Sequence, residues 1–187
     1  MELLRQLEQY KPCNEQEERD RALLLRALRE EENVFSRENE RMHMTASAWV
    51  TNGRCDRILM AYHKLYDSWA WLGGHADGER DLLAAAMREV REESGVVHVR
   101  PAMEDVFSLE VLTVDGHEKR GRYVSSHLHL NVTYLLIADD ADALTVKPDE
   151  NSGVRWFTPD GAVEASSEPW FRERIYKKLN AKLAALR

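Results

Sequence analysis

Only two cysteines, Cys13 and Cys55, stand in 187 residues, far apart and without a CxxC partner. That excludes a disulfide framework and a cysteine-rich zinc site, and the expected setting is a reducing cytoplasm. No stretch approaches the roughly 18 consecutive apolar residues of a membrane-spanning helix. The opening Met1–Glu2–Leu3–Leu4–Arg5–Gln6–Leu7–Glu8 mixes charge into its apolar positions, unlike a signal peptide, so no membrane partner is expected. Basic excess is missing too: 26 Lys and Arg face 33 Asp and Glu, for a formal charge of −7, with no dense Lys/Arg stripe. This balance repels phosphodiester backbones, and no nucleic-acid polymer is expected as a partner. It leaves room for a small phosphorylated substrate, because a metal ion between carboxylates and phosphates reverses the local sign. Internal repeats, Gly-x-Gly-rich phosphate cradles and Ser/His/Asp nucleophile arrangements are also absent.

What remains is a chain with 43% apolar and 32% charged residues, long enough for one compact domain with a substantial core. Residues 2–10 read as a short helix stopped by Pro12. Asn14 and Glu17 have capping-box spacing and open a second helix carrying Leu23, Leu24, Leu25 and Leu28, which ends in Glu30–Glu31–Glu32. Residues 1–41 are thus a helical accessory segment that packs its apolar face on the main domain, with a homodimer contact as the sharper reading. From Met42 the period changes to two: Met42, Met44, Ala46, Ala48 and Val50 alternate with more polar positions. Asn52–Gly53 is a turn signal before an extended stretch over Arg57–His63. Trp69 and Trp71 precede Gly73–Gly74, and a helix follows from about Asp81 to Ser94, ended by Gly95. Further strands are predicted near Val96–Arg100, Phe107–Val114, Tyr123–Ile137 and Val154–Phe157. A last helix opens at Ser167–Glu168–Pro169, with Phe171, Ile175, Leu179 and Leu183 as its buried row. Strands alternating with well-separated helices indicate a mixed α/β layered domain over residues 42–187.

The informative segment runs from Gly73-Gly74-His75 to Arg88-Glu89-Val90-Arg91-Glu92-Glu93-Ser94-Gly95-Val96. On a helix Glu89, Glu92 and Glu93 stand at i, i+3 and i+4, so their carboxylates share a face. Three like charges so close destabilise a helix unless something positive sits among them. Arg88 offsets part of this, and a divalent cation would offset more. Dense oxygen ligands suit Mg2+ or Mn2+. Leu83, Ala86, Met87 and Val90 form an apolar face that clamps the same helix to a core.

This segment resembles the signature of the Nudix hydrolase family: a glycine, five residues, a glutamate, seven residues, then Arg-Glu-aliphatic-any-Glu-Glu-any-Gly-aliphatic. Counted from Gly74, the chain matches at Arg88, Glu89, Val90, Glu92, Glu93, Gly95 and Val96 with the spacing intact. Two positions depart. Arg80 stands where the family has its first glutamate, with acids beside it at Glu79 and Asp81. Leu72 stands where many members have proline. The resemblance implies a Nudix-like α/β/α sandwich with a mixed central sheet, here preceded by N-terminal accessory helices. It implies a metal-dependent pyrophosphohydrolase acting on a nucleoside diphosphate derivative or related compound. By transfer, Gly74, Glu89, Glu92 and Glu93 would ligate the metal and Arg88 would hold the carboxylates in place. One of the glutamates, or a loop acid among Asp149 and Glu150, would activate water.

Outside this segment, Leu128, Leu130, Val132 and Tyr134 alternate with His127, His129, Asn131 and Thr133. The polar row reads as pocket lining, with His127, His129 and Asn131 as substrate contacts, rather than as a second metal pair. His75 reads as a hydrogen-bonding loop residue, at least one of Trp69 and Trp71 as core, and the loop 115–121 with Lys119 and Arg120 as a hairpin tip. Two alternatives remain. An isoprenoid-diphosphate isomerase of related fold also has a Gly-His pair near its metal loop, but needs a cysteine, and neither Cys13 nor Cys55 adjoins the loop. A non-catalytic nucleotide-binding sensor is opposed by the intact acid trio.

Overall fold

The computed structural model describes residues 2–119 and 121–186, with the side chain of Lys119 left out. Of the hairpin tip expected over residues 115–121, Arg120 and the Lys119 side chain therefore lie outside the described residues. In chain order the elements are α1 (Glu2–Gln9), α2 (Glu15–Glu30), β1 (Met42–Thr51), β2 (Ile58–His63), β3 (Ser68–Ala70) and β4 (Leu72–His75). They continue with α3 (Leu82–Ser94), β5 (Val99–Pro101), β6 (Ser108–Val114), β7 (His117–Lys119), β8 (Arg122–Val124) and β9 (His127–Ala138). Last come β10 (Asn151–Phe157), α4 (Pro159–Ala165), a π-helical turn (Phe171–Tyr176) and α5 (Lys177–Ala184). This is the expected α/β class with a mixed sheet. Eight strands form one sheet along the path β10-β2-β1-β9-β5, with β3 on β2, β4 on β1 and β6 on β9; β7 and β8 form a separate hairpin. No helix of the described residues is long and apolar enough to cross a membrane.

Contacts divide the chain into two compact units, one of Met1–Ser47, Gly74–Ala85 and Glu104–Tyr134, the other of Ala48–Gly73, Ala86–Met103 and Leu135–Arg187. In the first, β6 and β9 pair antiparallel from Ser108↔Thr133 to Val114↔His127. Helix α2 lies against β6. Its start is closed as the capping spacing predicts, the Asn14 side chain accepting from the Glu17 N–H at 2.9 Å. Glu17 then reaches back, accepting from the Cys13 N–H at 2.9 Å and from the Ser108 hydroxyl at 2.9 Å. The helix is thereby tied to β6 by a buried carboxylate, and its Leu24 and Ala27 are buried as well.

In the second unit β2 is central to its own ladders. It pairs with β1 at Val50↔Leu59, with β3 at Tyr62↔Trp69 and with β10 from Asn151↔His63 to Phe157↔Ile58. Trp49 and Tyr176 stack at 5.3 Å between ring centroids, both fully buried. Trp69 and Trp71 are half-buried, Trp69 edge-on to Tyr62 and Phe157, Trp71 edge-on to Phe171 and Tyr176. The expected buried row of the last helix holds at Ile175, Leu179 and Leu183, while Phe171 is half-buried.

Three local departures have physical causes. Strand β5 begins at Val99 rather than near Val96, because the Asp142 carboxylate takes the N–H groups of Val97 and His98 at 2.8 and 2.7 Å. The run expected over Tyr123–Ile137 breaks between β8 and β9, where the Ser126 hydroxyl accepts from the Gly116 N–H at 2.9 Å. Helix α4 was not expected: it is seven residues long, with Pro159 in its first turn and Thr158 as its cap.

Gly95 ends α3 in the left-handed region, at φ +76°, and a Cβ there would come 2.2 Å from the Thr145 hydroxyl oxygen. Thr145 is fixed in turn by its N–H donating to the Ser94 carbonyl at 2.8 Å. Gly95→Ala is therefore expected to cost about 2–3 kcal/mol, from positive-φ strain and overpacking together. An unchanged urea midpoint would show that the Thr145 segment yields freely.

Candidate functional site

Leu82, Ala85, Ala86 and Val90 are the buried stripe of α3. The stripe is turned by one residue from the expected face, leaving Leu83 and Met87 half-buried. The start of the helix is set by two acids of the preceding loop: Asp81 accepts from the Ala84 N–H at 3.0 Å, and Glu79 accepts from the Asp81 N–H at 2.8 Å. Glu79, one of the two acids beside Arg80, thus holds the N-terminal loop of α3. Arg80 places its guanidinium 5.1 Å from the centre of the Phe35 ring.

Toward its C-terminus α3 presents the acids. Glu93 is 5% exposed and accepts from the Gly73 N–H at 3.0 Å. Its carbonyl accepts from the Asn151 amide at 2.9 Å. Burial pushes the Glu93 carboxyl up to about 8; the Gly73 bond opposes this, and Glu89 and Glu150 add repulsion. Arg88 lies 3.0 Å from Glu89 and 3.8 Å from Glu92. The Lys147 ammonium bridges Glu92 at 3.3 Å and Glu150 at 3.0 Å. Burial works against charge on Lys147, yet its bonds to Glu150 and Glu92 hold it up at about 12.

Of the expected residues, the structure thus joins Arg88, Glu89, Glu92, Glu93 and Glu150 in one charged cluster. Gly74 lies on β4, next in the chain to Gly73, and Asp149 lies in the exposed turn before β10. Among the described residues, two sets of three His, Cys, Asp or Glu bring ligand atoms within 4.8 Å of one another, and the Glu89–Glu92–Glu93 trio is not one of them. Arg88 pairs with Glu89 and Glu92, and Lys147 pairs with Glu92. Lys147 and Asn151 were missed from the sequence. They approach α3 from a segment more than fifty residues away, and no spacing rule reports on such a pair.

The polar row of β9 divides. Asn131 is fully buried, its oxygen accepting from Thr45 and Ser47, both at 2.9 Å, and its amide donating to Glu110 at 2.9 Å and Thr133 at 3.2 Å. Expected as a substrate contact, Asn131 instead spends its hydrogen bonds inside a buried network with Glu110. His127 and His129, half-buried, gather with His75 and His43. His43 was not singled out from the sequence, though a signal existed. His43, Thr45 and Ser47 share one face of β1 by the period of two, a polar row of the same kind as that of β9.

Compared with known proteins, the chain matches the NUDIX domain family over residues 41–179. Its fold is similar to that of a C. elegans Ap4A hydrolase, at TM-score 0.55 and 18% identity, covering 76% of this chain and 96% of that one. A NUDIX-family hydrolase from Clostridium perfringens gives TM-score 0.52 and 18% identity, covering 78% and 98%. The M. smegmatis Nudix hydrolase RenU gives TM-score 0.55 and 16% identity, covering 78% and 88%. No curated protein sequence matches.

Proposed function

Since the chain belongs to the NUDIX family of hydrolases acting on pyrophosphate bonds, we propose that it cleaves the phosphoanhydride of a nucleoside diphosphate derivative or related small phosphorylated compound, with Mg2+ or Mn2+ held by Glu89, Glu92 and Glu93. The single observation that carries this reading is the Glu93–Gly73 bond, which fixes the glycine loop to the acidic face of α3. The donor set fits a hard divalent cation. Oxygen ligands predominate, and Glu93 is a desolvated carboxyl beside the further acids Glu89 and Glu150. Such a cation supplies positive charge against the phosphates and favours ionisation of water.

The chain's own groups divide the remaining work. Arg88 positions Glu89 and Glu92. Lys147 keeps the acids of α3 and Glu150 on one locus and offsets their repulsion. Glu150, on the turn entering β10, takes the proton of the attacking water, since it stands outside the ligand trio yet is tied to it through Lys147. The thiols Cys13 and Cys55 suit a reducing cytoplasm.

The test is phosphate release from nucleoside diphosphate sugars, dinucleoside polyphosphates, nucleoside triphosphates and coenzymes, each with magnesium, manganese or chelator. Metal-dependent turnover of one class is expected. Glu150→Gln should lower its kcat by roughly 10²-fold or more at unchanged magnesium affinity. Silence across the panel, with magnesium still bound in calorimetry, would sink the hydrolase reading in favour of the sensor or the isomerase.

A further inference from the structure

We propose that His43, His75 and His129 form a second metal site, which takes a borderline d-block cation of the zinc class. These residues offer one ligand atom each, all within 4.8 Å of one another. They come from three strands, His43 from β1, His75 from the end of β4 and His129 from β9. Their ring centroids lie 5.2 Å (His43–His75), 5.0 Å (His43–His129) and 4.9 Å (His75–His129) apart. Three imidazoles without a carboxylate form a nitrogen donor set, which suits zinc and disfavours magnesium.

The second observation is an orphaned atom. His43 is 4% exposed, and its Nδ1 lies 3.0 Å from the Asn39 carbonyl, so that nitrogen carries the proton and donates. The lone pair of the neutral ring is then on Nε2, which is buried and has no hydrogen-bond partner. Buried polar atoms are rarely left so, and an ion is one of the few explanations for the exceptions. An imidazole whose far nitrogen donates to a backbone carbonyl is also the usual arrangement of a metal-binding histidine. His127 repeats this device one step out. Its Nδ1 is 2.8 Å from the Ser125 carbonyl and its Nε2 is 3.2 Å from His129 Nε2, where it orients the His129 ring. Three protein ligands leave a position for water or an anionic oxygen, as in an open rather than a purely structural zinc site.

The other set of three, His98, Asp139 and Asp142, is a weaker candidate. It is largely exposed, and Asp142 already accepts from the N–H groups of Val97 and His98 and pairs with the His98 ring at 2.8 Å. The histidine site uses none of the acids of α3, so it stands or falls separately from the proposed hydrolase chemistry.

The test is metal content per chain, by mass spectrometry of the intact protein stripped with chelator and re-equilibrated with zinc in excess magnesium. The expected result is one zinc per chain. Co2+ loaded in its place should give the visible absorption of a low-coordinate, nitrogen-rich site. His75→Ala and His129→Ala should each lower zinc to background, as should His43→Ala, while Glu93→Gln retains it. Should His43→Ala fail to fold, the two half-buried positions decide the matter. Zinc retained in both, zinc lost in Glu93→Gln but not in the histidine variants, or no zinc in the parent would each overturn the proposal.

Discussion

A Glu93→Gln enzyme is expected to release product about 10²–10³-fold more slowly than the parent, the scale of losing one preorganised charge stabiliser of a transition state. The substitution is nearly isosteric. Its amide oxygen can still accept from the Gly73 N–H, and the Asn151 amide bonds the backbone of residue 93, not its side chain. The fold should therefore survive, and the loss will report on charge. Only a cation that needs the carboxylate would be affected so strongly. The apparent magnesium affinity should fall with kcat, which distinguishes this variant from Glu150→Gln, where it should not. Glu92→Gln should be milder, because Glu92 shares its charge with Arg88 and Lys147 and its side chain is about half exposed. A fall of less than tenfold in Glu93→Gln would remove Glu93 from the proposed ligand set.

The residues that such a test rests on could be read in advance because they sit on one long, strongly periodic helix. Once α3 forms, Glu89, Glu92 and Glu93 must share a face, whatever the rest of the chain does. The same local logic located Asn14 as a cap and Gly95 as the helix end. It failed where contacts across the chain decide the outcome. The period of two on β9 correctly separates Asn131 from Leu130, but it cannot say what covers each face. Here Thr45, Ser47 and Glu110 on the flanking strands bond Asn131, so a row that reads as a pocket lining becomes partly a buried network. Lys147 reaches Glu92 only because the segment before β10 returns to α3. Short elements escaped for a different reason. Helix α4 and the π-helical turn are too brief to establish a period, and their stability comes from packing rather than from propensity.

In chelator, the stability of the parent is expected to fall as pH rises from about 5 to 8, and magnesium is expected to abolish most of that fall. The native Glu93 carboxyl is held up at about 8 against an ordinary 4.5, first by burial and then by Glu89 and Glu150. Between those values the folded chain holds a proton that the unfolded chain has released. Unfolding then releases protons, so stability declines with pH. The contribution is fully present below about 4.5 and lost as pH passes through about 8, a change on the order of 5 kcal/mol. Other groups contribute slopes of their own. Burial lowers His43, which makes stability rise with pH, and the Asp142 bond raises His98, which works the opposite way. Subtracting urea midpoints of Glu93→Gln from those of the parent across the series isolates the Glu93 part, since an amide does not titrate. Magnesium that binds only the folded chain stabilises it by mass action. If it does so by replacing the proton on Glu93, its stabilising increment must grow with pH. An increment independent of pH, or equal in Glu93→Gln, would mean that magnesium binds elsewhere and that this buried acid is held protonated for the fold alone.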